Sequence, residues 1–130
     1  MILPITLTTA AAAAIITLWL MIRIARLRAA HKVMHGDGGI ALLARRMRAQ
    51  LNFIETAPIV LALIAAIELS GKGGTWLMWV SAAYIVGRIL HPLGLDREDA
   101  NAFRAIGVLL TMLTLIGLAV VAVLITYGVM

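Results

Sequence analysis

The chain has 130 residues, of which 63% are hydrophobic and 13% charged, and its mean hydropathy is +1.05. A water-soluble domain is about half apolar and about a quarter charged, so this composition excludes a soluble globular protein and a disordered one. The net charge of +5 is compatible with nucleic-acid binding, but an aromatic content of 5% is too low for base stacking, and basic loops are expected beside membrane spans. The absence of cysteine excludes disulfides and thiolate sites.

Four apolar segments predict four transmembrane helices within a single membrane domain over residues 1–130. The first and last segments contain long runs without any charge, whereas the two middle segments carry polar residues and are joined by a short glycine-rich turn. A membrane-crossing helix needs about 20 mostly apolar residues, and each segment meets this length. The fold class is therefore all-α, a four-transmembrane-helix bundle, with helices expected at about residues 1–28, 44–69, 75–93 and 98–128.

The basic residues predict the orientation of the four helices. Ten of the 11 lysines and arginines border the first or third loop, and Lys72 alone lies in the second. The positive-inside rule then places the first and third loops in the cytoplasm and both termini outside it. No basic residue precedes the first apolar run, which favours a retained helix over a signal peptide.

The loops offer few candidates for chemistry. His31 and His35 have the spacing of a metal-binding pair on a helix, but no further ligand follows, so we interpret them as solvated residues and expect no metal. In the third loop, Asp96 and Asp99 predict the N-cap of the last helix. Glu68, near Lys72, is interpreted as an interfacial residue.

The first half of the second helix carries polar side chains that a lipid-facing surface would not tolerate. Arg45, Arg48, Asn52 and Glu55 fall within about 80° of one another around a helix. Pro58 is expected to kink the helix beside them. Two interpretations follow: an Arg48–Glu55 ion pair that fixes helix packing, or a site whose unpaired arginine charge binds an anionic ligand.

The third and fourth helices bring further polar residues to the same depth. Tyr84, Arg88 and His91 share one helical face, and Arg104 opens the fourth helix at the same end. Each of these residues alone has an ordinary interfacial explanation. Together with Arg48, Asn52 and Glu55 they predict a site for a small, zwitterionic and multiply charged molecule.

These residues resemble a known signature. The stretch Arg45-x-x-Arg48-x-Gln50-x-Asn52-x-x-Glu55-x-x-Pro58 is similar to that of the MAPEG family, the membrane-associated proteins in eicosanoid and glutathione metabolism. The similarity continues through Gly87-Arg88-x-x-His91-x-x-Gly94 to Arg104, covers about residues 40–120, and is closest to the short bacterial members.

The resemblance implies a homotrimer with glutathione bound between subunits at the cytoplasmic side, acting on a lipophilic small molecule in a bacterial inner membrane. Arg104 lies near the position of a family arginine that stabilises the glutathione thiolate. The resemblance implies some glutathione-binding positions and leaves others as candidates. Together they are Arg48, Gln50, Asn52, Glu55, Tyr84, Arg88 and His91.

The sequence also departs from the family pattern. Thr56 stands where the leukotriene-forming enzymes have a tyrosine after the glutamate, and His91 and Leu95 stand where they have tyrosines late in the third helix. These departures favour an alternative, a non-catalytic lipid-binding or scaffold protein on the same fold. A small drug exporter is a poorer alternative, because the first helix lacks the acidic residue needed for proton coupling.

Overall fold

The computed structural model describes residues 1–130 as four α-helices with no strand, which confirms the all-helical prediction. Three of the helices are long and apolar enough to cross a membrane, namely Pro4–His31, Ala41–Leu69 and Ala102–Thr126. The remaining helix, Thr75–Leu95, has 21 residues and is not one of these three. The helices are α1 Pro4–His31, α2 Ala41–Leu69, α3 Thr75–Leu95 and α4 Ala102–Thr126.

The helices form an up-and-down bundle. Helix α1 packs on α2 and α3 but not on α4, and the most extensive contact joins α3 to α4. Backbones approach closely in that contact because glycines face it: a Cβ added to Gly107 would lie 2.7 Å from the Cβ of His91, and one added to Gly87 would lie 2.9 Å from the Cβ of Leu110. Small residues permit such close helix packing in membranes.

The bundle interior consists of two apolar clusters. The first joins α2, α3 and α4 toward the α2–α3 turn, and the second joins α1 to α2. Many large apolar side chains remain exposed along all four helices, which is the surface expected for contact with lipid or another subunit. The two clusters comprise Val60, Ile64, Ile67, Leu77, Tyr84 and Leu118, and Ala13, Ile16, Leu20, Phe53 and Ala57.

The first loop is shorter than the sequence predicts because α1 ends later, at His31, and α2 begins earlier, at Ala41. Helix α1 continues to His31, where Lys32 adopts a left-handed backbone conformation with φ of 55° and its amide bonds to the Arg28 carbonyl. The side chain of Asp37 then accepts a 2.9 Å hydrogen bond from the Gly39 amide. This Asx turn reverses the chain and lets α2 begin at Ala41.

Glu68 is not simply an interfacial residue beside Lys72. Its carboxylate accepts hydrogen bonds from the amides of Ile5 and Thr6, at 2.9 and 2.8 Å, and from the Thr6 hydroxyl at 2.7 Å. The first amides of a helix have no partner within it, and a carboxylate also suits the positive end of the helix dipole. Glu68 therefore caps α1 from the end of α2.

Candidate functional site

The centre of the candidate site is a buried hydrogen bond between α2 and α3. Arg88 is 1% exposed, and its Nη1 donates to the side-chain oxygen of Asn52 at 2.5 Å. Its Nη2 donates to the Gly107 carbonyl at 3.4 Å, which ties α4 to the same group. No carboxylate contacts Arg88, so its charge is balanced only by the dipoles of an amide and a carbonyl.

A second buried pair lies one helical turn away. The hydroxyls of Thr56 and Tyr84 are 3.1 Å apart, and Tyr84 is fully buried. Because Thr56 follows Asn52 by four residues and Tyr84 precedes Arg88 by four, the two pairs stack along the α2–α3 contact. Thr56, which the sequence marks only as a departure from the family pattern, is thus part of this packing.

Three arginines lie near enough to His91 for their charges to act on its ring. The side chain is 4% exposed, its Nδ1 has no hydrogen-bond partner, and its backbone packs against Gly107. The positive charges of Arg88, Arg104 and Arg48 all act on the imidazole. The structure therefore brings one arginine from each of α2, α3 and α4 to a common region around this histidine.

Three of the predicted site residues lie on the outside of the single chain. Arg48, Glu55 and Arg104 are all exposed, and none of them takes part in an ion pair. The interpretation of Arg48 and Glu55 as an ion pair that fixes helix packing is therefore wrong. Arg48 carries no neutralising partner within the chain, and Glu55 offers a free carboxylate.

Gln50 lies in a different setting from Asn52. It lines a groove of about 520 Å³ between α1 and α2, together with Arg48 and Arg28. Arg104 lines a separate surface groove of about 410 Å³ along α4. The single chain thus brings Asn52, Tyr84, Arg88 and His91 together in its interior, and it leaves the remaining predicted residues on its surface.

The sequence prediction missed the role of Asp96. Its carboxylate forms an ion pair with Arg23 of α1 and a two-pronged one with Arg46 of α2, at 3.3 and 3.4 Å. The Asp96 carbonyl also accepts a 3.2 Å bond from Arg45, whose guanidinium is 3.7 Å from Glu98. Arg45 therefore binds the third loop and is not free for a ligand.

The prediction that Asp96 and Asp99 cap α4 is also wrong. The N-cap is Asn101, whose side-chain oxygen accepts a 3.1 Å hydrogen bond from the Arg104 amide. Its side-chain nitrogen donates to the Gly94 carbonyl at 2.8 Å. Asparagine is as good a cap as aspartate, and here Asp96 already has arginine partners while Asp99 pairs with Arg97.

Comparison with known protein families identifies the family of this chain. The model of the MAPEG family matches residues 6–124, which is nearly the whole chain. The chain belongs to the MAPEG family. It is an integral membrane protein of that family.

Two curated relatives are also similar to this MAPEG protein. Both are described as the inner membrane protein YecN, from two strains of Escherichia coli, and each is 32% identical over 72 residues. The alignment covers 55% of this chain and 54% of each relative, so the chain spans about half the length of the curated relatives that it matches.

Proposed function

We propose that this MAPEG protein is a membrane-bound, glutathione-dependent transferase or peroxidase that acts on a lipophilic electrophile. Glutathione lies between subunits of a homotrimer at the cytoplasmic side of the membrane. The observation that carries the proposal is that Arg48, Glu55 and Arg104 are exposed on the single chain, beside the buried Asn52–Arg88 pair.

Exposed ionisable side chains on a membrane helix need a partner. An uncompensated charge at membrane depth costs at least about 2.5 kcal/mol, and such residues are found facing bundle interiors or wet cavities. A second copy of the chain placed against this surface shields it from lipid, and a polar ligand between the copies supplies the counter-charges. Gln50, in its separate groove with Arg48, then contacts the same ligand from a neighbouring subunit.

The chemistry of glutathione matches these side chains. Its two carboxylates suit Arg48 and a second arginine, because guanidinium groups bind carboxylates in a two-pronged manner. Its amine suits the carboxylate of Glu55. Its thiol, placed near Arg104, is stabilised as the thiolate, which is the nucleophilic form.

The reaction then needs no nucleophile from the protein, in keeping with a chain without cysteine. The thiolate sulfur attacks an electrophilic carbon of a substrate dissolved in the bilayer, and a carbon–sulfur bond forms as the leaving group departs. With a hydroperoxide, two molecules of glutathione are oxidised to the disulfide while the peroxide is reduced to an alcohol and water.

The proposal also includes the membrane in which the protein lies and its orientation there. The YecN relatives are described as inner membrane proteins, which supports an inner-membrane location for this chain. The arginines at the α1–α2 and α3–α4 ends support a cytoplasmic position for the site and an outer position for both termini.

The test is glutathione binding by the purified protein, measured by isothermal titration calorimetry. Arg48→Ala and Glu55→Ala are expected to abolish binding while the trimer, detected by chemical crosslinking, persists. Arg26→Ala is the matched control, because Arg26 is exposed and makes no ion pair or hydrogen bond. Unchanged affinity in the first two variants would refute the site.

The role of Arg104 has a separate test. Arg104→Ala is expected to lower the turnover of a generic electrophile more than the affinity for glutathione, and to remove the ultraviolet absorbance of the bound thiolate. A thiolate signal that survives the substitution excludes this role.

A second candidate function is a non-catalytic lipid-binding or scaffold protein. It is favoured because Thr56, His91 and Leu95 replace the tyrosines of the leukotriene-forming enzymes. In the structure Thr56 is hydrogen-bonded to Tyr84, and His91 and Leu95 are buried within the chain. A wild-type protein that binds lipid but neither binds glutathione nor conjugates it supports this candidate over the enzyme.

A further inference from the structure

We infer that Asp96 is the positioning residue for Arg104: by joining the third loop to α1 and α2, it holds the start of α4 in register with the polar face of α2. The inference rests on the proposed function for its catalytic consequence. The register itself is a property of the fold and is testable on its own.

The anchor is well defined. Arg23, which is 9% exposed, pairs with the Asp96 carboxylate and stacks on Trp19, with its guanidinium carbon 4.9 Å from the ring centre. Arg46 binds the same carboxylate through two nitrogens and donates through a third to the Arg23 carbonyl at 3.1 Å. One carboxylate thus joins side chains from two helices that lie 50 or more residues earlier in the sequence.

The anchor continues toward α4 through the backbone. Arg45 of α2 donates to the Asp96 carbonyl at 3.2 Å, so the loop is held by its main chain as well. Asn101 bridges the Gly94 carbonyl and the Arg104 amide. Gly94 lies so close to the Arg104 backbone that it has no room for a side chain.

The Arg104 side chain has no hydrogen bond or ion pair that would hold it in place. It is exposed, so only the Arg104 backbone fixes where it can reach. The position of that backbone relative to α2 is set by the packing of α4 on α2 and α3 and, at the start of α4, by the links from α2 and α1 to Asp96. Losing the carboxylate leaves two buried or half-buried arginines without a counter-charge, and they repel one another.

The first experiment compares Asp96→Asn with Asp99→Asn in the full-length protein. The exposed carboxylate of Asp99 pairs only with Arg97, and the bond from Asn101 goes to the Asp99 backbone carbonyl, so the same chemical change there leaves the anchor intact. A displacement of about 1 Å at a reacting group lowers rates by up to about 100-fold. We expect Asp96→Asn to lower kcat about tenfold or more with a smaller change in glutathione affinity, Asp96→Glu to recover most of the turnover, and Asp99→Asn to match wild type.

The second experiment needs no activity. The natural chain has no cysteine, so spin labels at Leu51→Cys on α2 and Phe103→Cys on α4, both exposed positions, report the distance between the helices. Labelled protein is diluted into unlabelled protein so that the distance within one chain dominates. We expect Asp96→Asn to shift or broaden this distance and Asp99→Asn to leave it unchanged.

The outcomes separate the two proposals. A wild-type protein that neither binds nor conjugates glutathione refutes the proposed function, and the spin-label distance still decides the role of Asp96. An unchanged distance and unchanged kcat in Asp96→Asn overturn the positioning role even in an active enzyme. If Asp96→Asn does not fold, both measurements are made on Arg46→Gln instead. This variant removes one of the two arginines that pair with Asp96 and leaves the ion pair with Arg23.

Discussion

The hydrogen bond between Arg88 and Asn52 makes the sharpest prediction for stability. Replacing Asn52 by the isosteric leucine removes the acceptor 2.5 Å from Nη1 and leaves the Gly107 carbonyl, at 3.4 Å, as the acceptor of this buried cation. Hydrogen bonds to charged groups contribute about 1.5–3 kcal/mol, and a buried charged donor without a partner costs at least as much. We expect Asn52→Leu to lower the free energy of unfolding by about 2–3 kcal/mol.

The reverse change tests the same bond from the other side. Arg88→Met removes the buried charge and leaves the half-buried Asn52 amide unpaired, at a cost of about 1–2 kcal/mol. Removing both partners leaves neither group unsatisfied. The double variant is therefore expected to be more stable than the sum of the two single changes predicts, by about 1.5–3 kcal/mol.

The assay is unfolding by sodium dodecyl sulfate in mild detergent micelles, followed by the loss of helical circular dichroism. Asn52→Leu combined with Thr126→Val is the control pair, because Thr126 lies at the far end of α4 and bonds only within its own helix. That pair is expected to be additive within about 0.5 kcal/mol. Additivity in the Asn52 and Arg88 pair as well would refute the reasoning.

Three further substitutions follow from single contacts and are measured by the same unfolding assay. Glu68→Gln weakens the cap of α1 and is expected to cost about 1–2 kcal/mol, whereas Lys72→Gln, which breaks no ion pair, is expected to cost almost nothing. Gly107→Ala drives a methyl group into His91 and is expected to cost about 1–3 kcal/mol, while Gly117→Ala has open space and serves as its control. Ser81→Ala removes a buried hydroxyl without a partner, so it is expected to be neutral or stabilising, and a loss above about 1 kcal/mol would show that the hydroxyl is bonded in the membrane.

Patterns within one helix could be predicted from the sequence, and contacts between helices could not. The apolar runs gave the number of helices, and the spacing of Asn52, Tyr84, Arg88 and His91 predicted a polar region that the structure does assemble. Periodicity places residues on a face of their own helix but does not choose their partners. Arg45 shares a face with Arg48, yet its guanidinium reaches back to the third loop.

The helix ends show the same limit. Asp96, Asp99 and Asn101 are all good caps by residue type, and the arginines that bind Asp96 lie 50 or more residues away in the sequence. Glu68 likewise meets α1 over a separation of 62 and 63 residues. Only the folded chain shows which polar groups are already occupied, and so which residue is left to begin α4.

The sequence alone is sufficient to predict the membrane environment, the four helices and the family signature. Polar and charged groups in lipid are so costly that the few such residues within the helices stand out in the pattern. The tertiary structure divides these polar and charged residues into two sets. Tyr84, Arg88 and His91 are buried and Asn52 is half-buried beside them, whereas Arg48, Glu55 and Arg104 stay on the surface. Packing explains this division. The glycine-lined contact of α3 with α4 encloses the first set, and no segment of the chain covers the residues of the second set.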